Sequence, residues 1–198
     1  MGRQRIAVVA EFFQKASTKT YDEDSLLVER VLLGKDPSAF HRLYERHYSR
    51  VYGIAYGVLL NHDDAVDATQ EVFSKVHRNL KRFDHRSKFS TWLHRVAINR
   101  SIQFSRSIKG RKAVVPLETI EHIASAPHDL EDRKHVHDTL ALLRPDDRLI
   151  LSLFYWQELS LGEIAEALGT QENAAKTRLF RARERFKALY TESEKVEV

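Results

Sequence analysis

Residues 160–185 read SLGEIAEALGTQENAAKTRLFRARER, and their local chemistry decides how the rest of the chain is read. Ser160 followed three residues later by Glu163 predicts a helix start, because the hydroxyl accepts from the Glu163 backbone N–H while the carboxylate reaches back. Gly169 is expected to end that helix, and Thr170 to cap a second one. In the second, Ala175, Leu179, Ala182 and Phe186 recur at helical spacing and give one apolar face. The opposite face carries Lys176, Thr177, Arg178, Phe180, Arg181 and Arg183. This is the pattern of a helix-turn-helix, whose second helix enters the major groove so that Arg and Lys meet guanine edges and phosphates while apolar groups meet thymine methyls. A solvated basic helix packed in a bundle is the competing reading, since charged helix faces are common.

The remainder of the chain sets bounds on these readings. Its 198 residues allow one domain or two small ones, and 42% hydrophobic with 30% charged residues is the make-up of an ordinary soluble protein. Cysteine is absent, which removes disulfides, thiol chemistry and cysteine-ligated zinc. The apolar run at 6–10, IAVVA, is too short for a signal-peptide core, and no run reaches membrane-spanning length, so a cytoplasmic protein without membrane insertion is expected.

Charge is distributed unevenly. Between Arg78 and Lys112 eleven Lys or Arg face a single acid, Asp84, whereas from Ala113 to Ile150 eight acids face four bases. From Lys176 to Lys187 six cations face only Glu184. Two basic blocks around an acidic one imply two polyanion contacts joined by a segment that avoids the duplex or imitates it.

Helical periodicity organises the chain as an all-α protein. Residues 1–21 show no clear periodicity and are read as an extension. A first helical domain is expected over 22–107. It comprises a short helix ending at Gly34, a long one capped by Asp36 with Pro37 at its first position, a third starting near Asp63 and Asp64, and a fourth over about 90–107. In the fourth, Trp92, Leu93, Val96, Ala97 and Phe104 are expected inward, and His94, Arg95, Asn99, Arg100 and Gln103 partly outward. Residues 108–128 read as a linker broken by Gly110, Pro116 and Pro127. At about 3.3 Å per residue it spans at most about 70 Å, roughly two turns of duplex. A second helical domain is expected over 129–192.

The aromatic and basic stretch from Phe83 to Gln103 is a second candidate for nucleic-acid contact, because unpaired bases need stacking surfaces and a charged path for their phosphates. At helical spacing Trp92 reads more readily as core, which leaves Arg95, Asn99 and Arg100 as the better contacts.

Four segments in order, DPSAFHRLYERHYSRVYGIA, DATQEVFSKV, FDHRSKFSTWLHRVAINR and LSLGEIAEALGTQENAAKTRLFRARERF, resemble the regions of bacterial extracytoplasmic-function sigma factors of the sigma-70 family. The resemblance covers about residues 25–190. It implies two helical domains, region 2 and region 4, joined by a flexible linker, and a subunit that binds core RNA polymerase through the beta-prime coiled coil and the beta flap. By the same resemblance Asp67, Gln70, Glu71 and Phe73 match the polymerase-binding helix. Phe83, Arg86, Lys88, Arg95, Asn99 and Arg100 fall where relatives capture a flipped base of the minus-10 element. Lys176, Thr177, Arg178, Phe180 and Arg181 match the readers of the minus-35 element. Promoter DNA and an anti-sigma factor are the other implied partners, and no metal, cofactor or covalent chemistry is implied. The chain departs from the family pattern at Asn173-Ala174-Ala175, where many relatives have Gly-Thr-Val, and at His85 or Arg86, where a loop glycine is common.

Two other classes remain open on residues alone. A stand-alone helix-turn-helix regulator accounts for 160–185 but not for the basic block at 78–112. A helical metalloenzyme is the weakest, since His135 and His137 lie two apart on different helix faces and His41 with Glu45 lacks a companion motif.

Overall fold

The computed structural model describes residues 22–108 and 130–194, with side chains of the second stretch described from 134 to 192. Most of the expected extension and linker therefore lie outside the described residues. Among the described residues the protein is all-α, with no strand. Eight helices run in the order α1 (Glu23–Leu32), α2 (Ala39–Leu59), α3 (His62–Asn79), α4 (Phe89–Ser107), α5 (Leu130–Leu142), α6 (Pro145–Tyr155), α7 (Leu161–Leu168) and α8 (Glu172–Glu194). By its contacts the chain divides into residues 1–43 and 44–198, and each unit is described by itself.

In the first unit, the Asp22 carboxylate accepts from the Ser25 backbone N–H at 2.9 Å and so starts α1. Gly34, at φ +63°, leaves the helix in the left-handed region. Asp36 was expected to cap a helix beginning at Pro37. Instead its carboxylate accepts from the Ser38 N–H at 2.9 Å and the Ser38 hydroxyl at 2.7 Å, a tight local turn that delays α2 to Ala39. The same hydrogen bonds, with Arg42 beside them, hold the Asp36 carboxyl below its usual range.

The second unit holds the rest of α2 and all later helices. Asn61, not the aspartates after it, caps α3 by accepting from the Asp64 N–H at 2.9 Å, while Asp63 and Asp64 sit in the first turn against the positive end of the helix dipole. One face of α3 is buried through Ala65, Ala68, Thr69, Val72, Phe73 and Val76. That face packs on α4, which contributes Phe89, Leu93 and Ala97, each fully buried. Burying each large side chain of this set contributes about 1.5–3 kcal/mol.

The α4 helix also packs against α7, so it is covered on two sides. This is why the expected faces needed correction. His94 and Ile98 are buried under the second cover, and Trp92, Val96 and Phe104 are only half-buried.

The capping box of α7 forms as expected. Ser160 Oγ accepts from the Glu163 N–H at 3.3 Å, and Glu163 Oε2 accepts from the Ser160 N–H at 3.0 Å. Gly169 ends the helix at φ 64° and ψ 39°. Thr170 does not cap α8. Its N–H donates to the Ala165 carbonyl at 2.9 Å and closes the end of α7, and α8 opens after Gln171, whose carbonyl accepts from the Ala175 N–H at 3.0 Å. Ala175, Leu179 and Ala182 turn inward, and α8 rests on α5, α6 and α7.

Candidate nucleic-acid interface

Inward burial of Ala175, Leu179 and Ala182 rotates the other face of α8 to solvent. Lys176, Thr177, Arg178, Phe180 and Arg181 are all exposed, and Phe180 is 61% exposed despite its apolar ring. An aromatic ring presented to water between cations is costly unless it meets a partner. The Thr177 hydroxyl donates to the Asn173 carbonyl at 2.9 Å, which fixes its side chain on that face.

The basic charge of α8 has two uses. Arg185 Nη1 pairs at 2.5 Å with Oδ1 of Asp147, a carboxylate in α6 that is buried in the fold. Arg183 lies over the rings of Phe154 and Tyr155, 4.9 and 5.3 Å from their centroids. These two cations hold α8 onto α6. Lys176, Arg178 and Arg181 lie nearer the N-terminus of α8, on the end that a recognition helix presents to base edges.

The other candidate set splits on inspection. Phe83 is buried, 4% exposed, with its ring against His85, Phe89 and Trp92 at centroid distances of 4.5, 5.7 and 5.6 Å. Its expected place as a base-contacting surface is corrected: the ring roots the loop in the core and offers no stacking face. His85 sits at φ 57°, so it occupies the left-handed position that a glycine fills more cheaply. That settles which residue stands for the loop glycine, since the left-handed residue is His85. Arg86 and Lys88 project from the loop into solvent, Arg86 with Nε 3.1 Å from Asp84.

On α4, Asn99 is exposed, whereas two of the expected nucleotide contacts are already engaged. Arg95 Nε donates to the Glu166 carbonyl at 2.8 Å, in the last turn of α7. Arg100 forms an ion pair with Glu71 of α3 and lies 5.9 Å over the Phe104 ring. The pair joins a residue expected to face polymerase with one expected to face DNA, and ties α3 to α4. On α3, Asp67 and Gln70 are exposed, but Phe73 is 4% exposed with its ring 4.7 Å from that of Tyr44. Phe73 is thus corrected from a contact residue to part of the core under the contact surface.

Three features escaped the sequence reading. Arg148 of α6 sends Nη2 and Nε to the Val58 carbonyl at 2.7 and 2.9 Å, and Nη1 to the Leu143 carbonyl at 3.0 Å. Gly57 of α2 lies so close to α6 that an added Cβ would stand 2.0 Å from Ser152 Oγ. His94 is buried beside His47 and Arg50 of α2 and Glu163 of α7, with Nε2 lacking a hydrogen-bond partner among the described residues. Desolvation by burial, then Arg50 and His47, push its pKa down to about 4. Between α4 and the helices that cover it lies an open cleft of about 410 Å³, lined among others by Arg95, Asn99, Gln103, Arg106 and Asp146. No helix of the described residues is long and apolar enough to cross a membrane.

Comparison with known proteins agrees with this arrangement of helices. Residues 43–111 match the family model Sigma-70 region 2, and residues 133–186 match Sigma-70, region 4. The ECF RNA polymerase sigma factor SigW of Bacillus subtilis is 31% identical over 163 residues, which cover 75% of this chain and 87% of that protein. The solved structure of CnrH in complex with the cytosolic domain of CnrY shares the fold at a TM-score of 0.65 and 24% identity, covering 85% of this chain and 97% of that one. RpoE, solved in complex with the anti-sigma factor NepR from Bartonella quintana, shares it at a TM-score of 0.59 and 21% identity over 78% of this chain and 98% of that one. With a region 2 match on the helices of the basic block, a region 4 match on the helix-turn-helix, and a curated relative aligned over most of its length, the chain belongs to the ECF RNA polymerase sigma factors of the sigma-70 family.

Proposed function

We propose that this protein joins core RNA polymerase, selects promoters through a minus-35 and a minus-10 element, and opens the duplex at the second while carrying out no covalent step itself. The observation that carries the reading is the exposed face of α8, where Lys176, Thr177, Arg178, Phe180 and Arg181 stand clear of the packing that consumes Arg183 and Arg185. These five read the minus-35 element in the major groove. Arg181 and Arg178 meet guanine edges or phosphates, and Phe180 meets thymine methyls.

At the minus-10 element Arg86, Lys88, Arg95, Asn99 and Arg100 guide the strand, and Phe83 acts indirectly by anchoring the loop that carries the first two. Flipping a base out costs a few kcal/mol of stacking, and contacts available only to the right base make opening sequence-selective. Asp67 and Gln70 contact the polymerase beta-prime coiled coil, with Glu71 holding Arg100 and Phe73 holding the helix. The domain that opens DNA spans 22–107 and the upstream reader 129–192, with 108–128 passing between them and region 4 resting on the beta flap. An anti-sigma factor restrains the free protein, a reading supported by the complex in which the similar RpoE is held.

The test is reconstitution. Purified core polymerase from the source genome, with this protein added, is expected to initiate RNA at a discrete set of start sites on fragmented genomic DNA, each with common elements upstream. Tight, salt-sensitive binding of the protein alone to a duplex operator, with no new start sites, would favour a stand-alone regulator instead.

A further inference from the structure

The α2 and α6 helices touch through small residues. At Gly57 an added Cβ would lie 2.0 Å from Ser152 Oγ and 2.4 Å from Ser152 Cβ, and at Gly53 it would lie 2.3 Å from Gln157 Nε2. Ser152 is 1% exposed, and its hydroxyl finds no hydrogen-bond partner among the described residues. A buried, unsatisfied hydroxyl against a glycine is a contact made for closeness rather than for polar pairing.

Two arginines flank this contact in opposite directions. Arg148 of α6 donates to Val58, in the last turn of α2, and Arg95 of α4 donates to Glu166, in the last turn of α7. The last four carbonyls of a helix lack intrahelical partners, and cations are favoured at that end of its dipole. Each half of the described structure therefore caps a helix of the other.

We propose that the Gly57–Ser152 contact, flanked by the Arg148 and Arg95 caps, is a latch that holds the free protein in a closed, promoter-incompetent state. The inference rests on the functional reading above for its consequence, though not for the latch. Packed helices have axes about 8–10 Å apart, and here α4 packs on α7, against which the reader α8 also rests. Elements named minus-10 and minus-35 are separated by about 25 base pairs, about 80 Å of duplex. The closed arrangement cannot engage both. It also keeps Arg95 on a protein carbonyl and Asn99 in the cleft beneath Asp146. Binding to polymerase must break the latch, and the cost of breaking it lowers the apparent affinity of the free protein for core.

The chain has no native cysteine, so Ser49→Cys on α2 and Ala188→Cys on α8, both exposed, can carry a spin-label or dye pair in the full-length protein. The unmodified latch is expected to give one short, narrow distance distribution, which lengthens when core polymerase is added. Gly57→Ala is expected to give the long distribution without polymerase and to bind core about tenfold more tightly. Alanine is the better helix former, so α2 itself is not weakened by this change. Adding Ser152→Gly removes both close atoms and leaves the backbone Cα at 3.9 Å, so the double variant is expected to close again and bind core as the parent does.

A short, narrow distribution in the folded Gly57→Ala protein overturns the latch, as does a double variant that stays open. Opening without tighter core binding overturns its inhibitory role. If the distances shift as expected but no form opens any promoter, the latch stands and the promoter reading falls.

Discussion

The Arg148 guanidinium donates to the Val58 carbonyl through both Nη2 and Nε, at 2.7 and 2.9 Å, while its Nη1 reaches the Leu143 carbonyl at 3.0 Å. One planar fork thus serves the ends of two helices, α2 and α5, and burial disfavours its charged form enough to lower its pKa. Arginine tolerates this because its pKa starts high and its donors are spread over a rigid plane.

Arg148→Ala is expected to lower unfolding stability by about 3 kcal/mol, because hydrogen bonds from charged donors contribute about 1.5–3 kcal/mol each and the freed carbonyls lie in partly buried surroundings. Arg148→Lys should recover less than half of that, since an ammonium lacks the fork. Urea midpoints of the three proteins measure both effects.

Stability should fall with acid in a window set by His94. Its folded pKa is about 4, against an ordinary value of 6.5. Between those values the unfolded chain binds a proton that the folded one refuses. The contribution is therefore complete above pH 6.5 and is lost as pH falls toward 4, by up to about 3 kcal/mol. Arg50 and His47 oppose protonation there, and Glu163 favours it weakly. His94→Gln should flatten the slope of denaturant midpoint against pH in that window, and an unchanged slope would refute the assignment.

Arg181→Ala and Arg185→Ala should separate reading from folding. The exposed Arg181 should be replaceable within about 0.5 kcal/mol of stability, yet its loss should weaken discrimination at the minus-35 element by about 1–3 kcal/mol. Arg185→Ala should cost about 2 kcal/mol of stability by taking the closer partner from buried Asp147. Competition binding with matched and mismatched duplexes, beside thermal melts, distinguishes the two.

How much of this was legible in the chain depended on whether a residue's partner was local. Ser160 with Glu163, Gly169, and the Ala175, Leu179 and Ala182 stripe lie within one or two turns of each other, and the structure holds them as read. Thr170 failed because two local uses compete for it, capping α8 and closing α7, and the second won. His94 and Arg148 were opaque for a different reason: their partners lie 69 and 90 residues away, as Glu163 and Val58 do, and no periodicity encodes a second cover on α4. Phe73 and Phe83 were placed by resemblance to a motif, which records position and not depth, and both proved to be core supports beneath the surfaces assigned to them.

Polymerase binding should follow the same distinction between surface and support. Asp67→Ala and Gln70→Ala should weaken association with core polymerase and leave the melting curve within about 0.5 kcal/mol of the parent. Phe73→Ala should instead destabilise the fold by about 3–5 kcal/mol through the cavity it leaves beside Tyr44. Calorimetric unfolding paired with pull-down on core polymerase reads both.

Permanganate reactivity of thymines in a promoter drawn from the mapped start sites tests the central claim most directly. With core polymerase and this protein together, thymines at the minus-10 element should become reactive, and Asn99→Ala should reduce that reactivity while core binding persists. Equal protection with and without the protein, on every start site tested, would contradict the assignment of promoter opening to this chain.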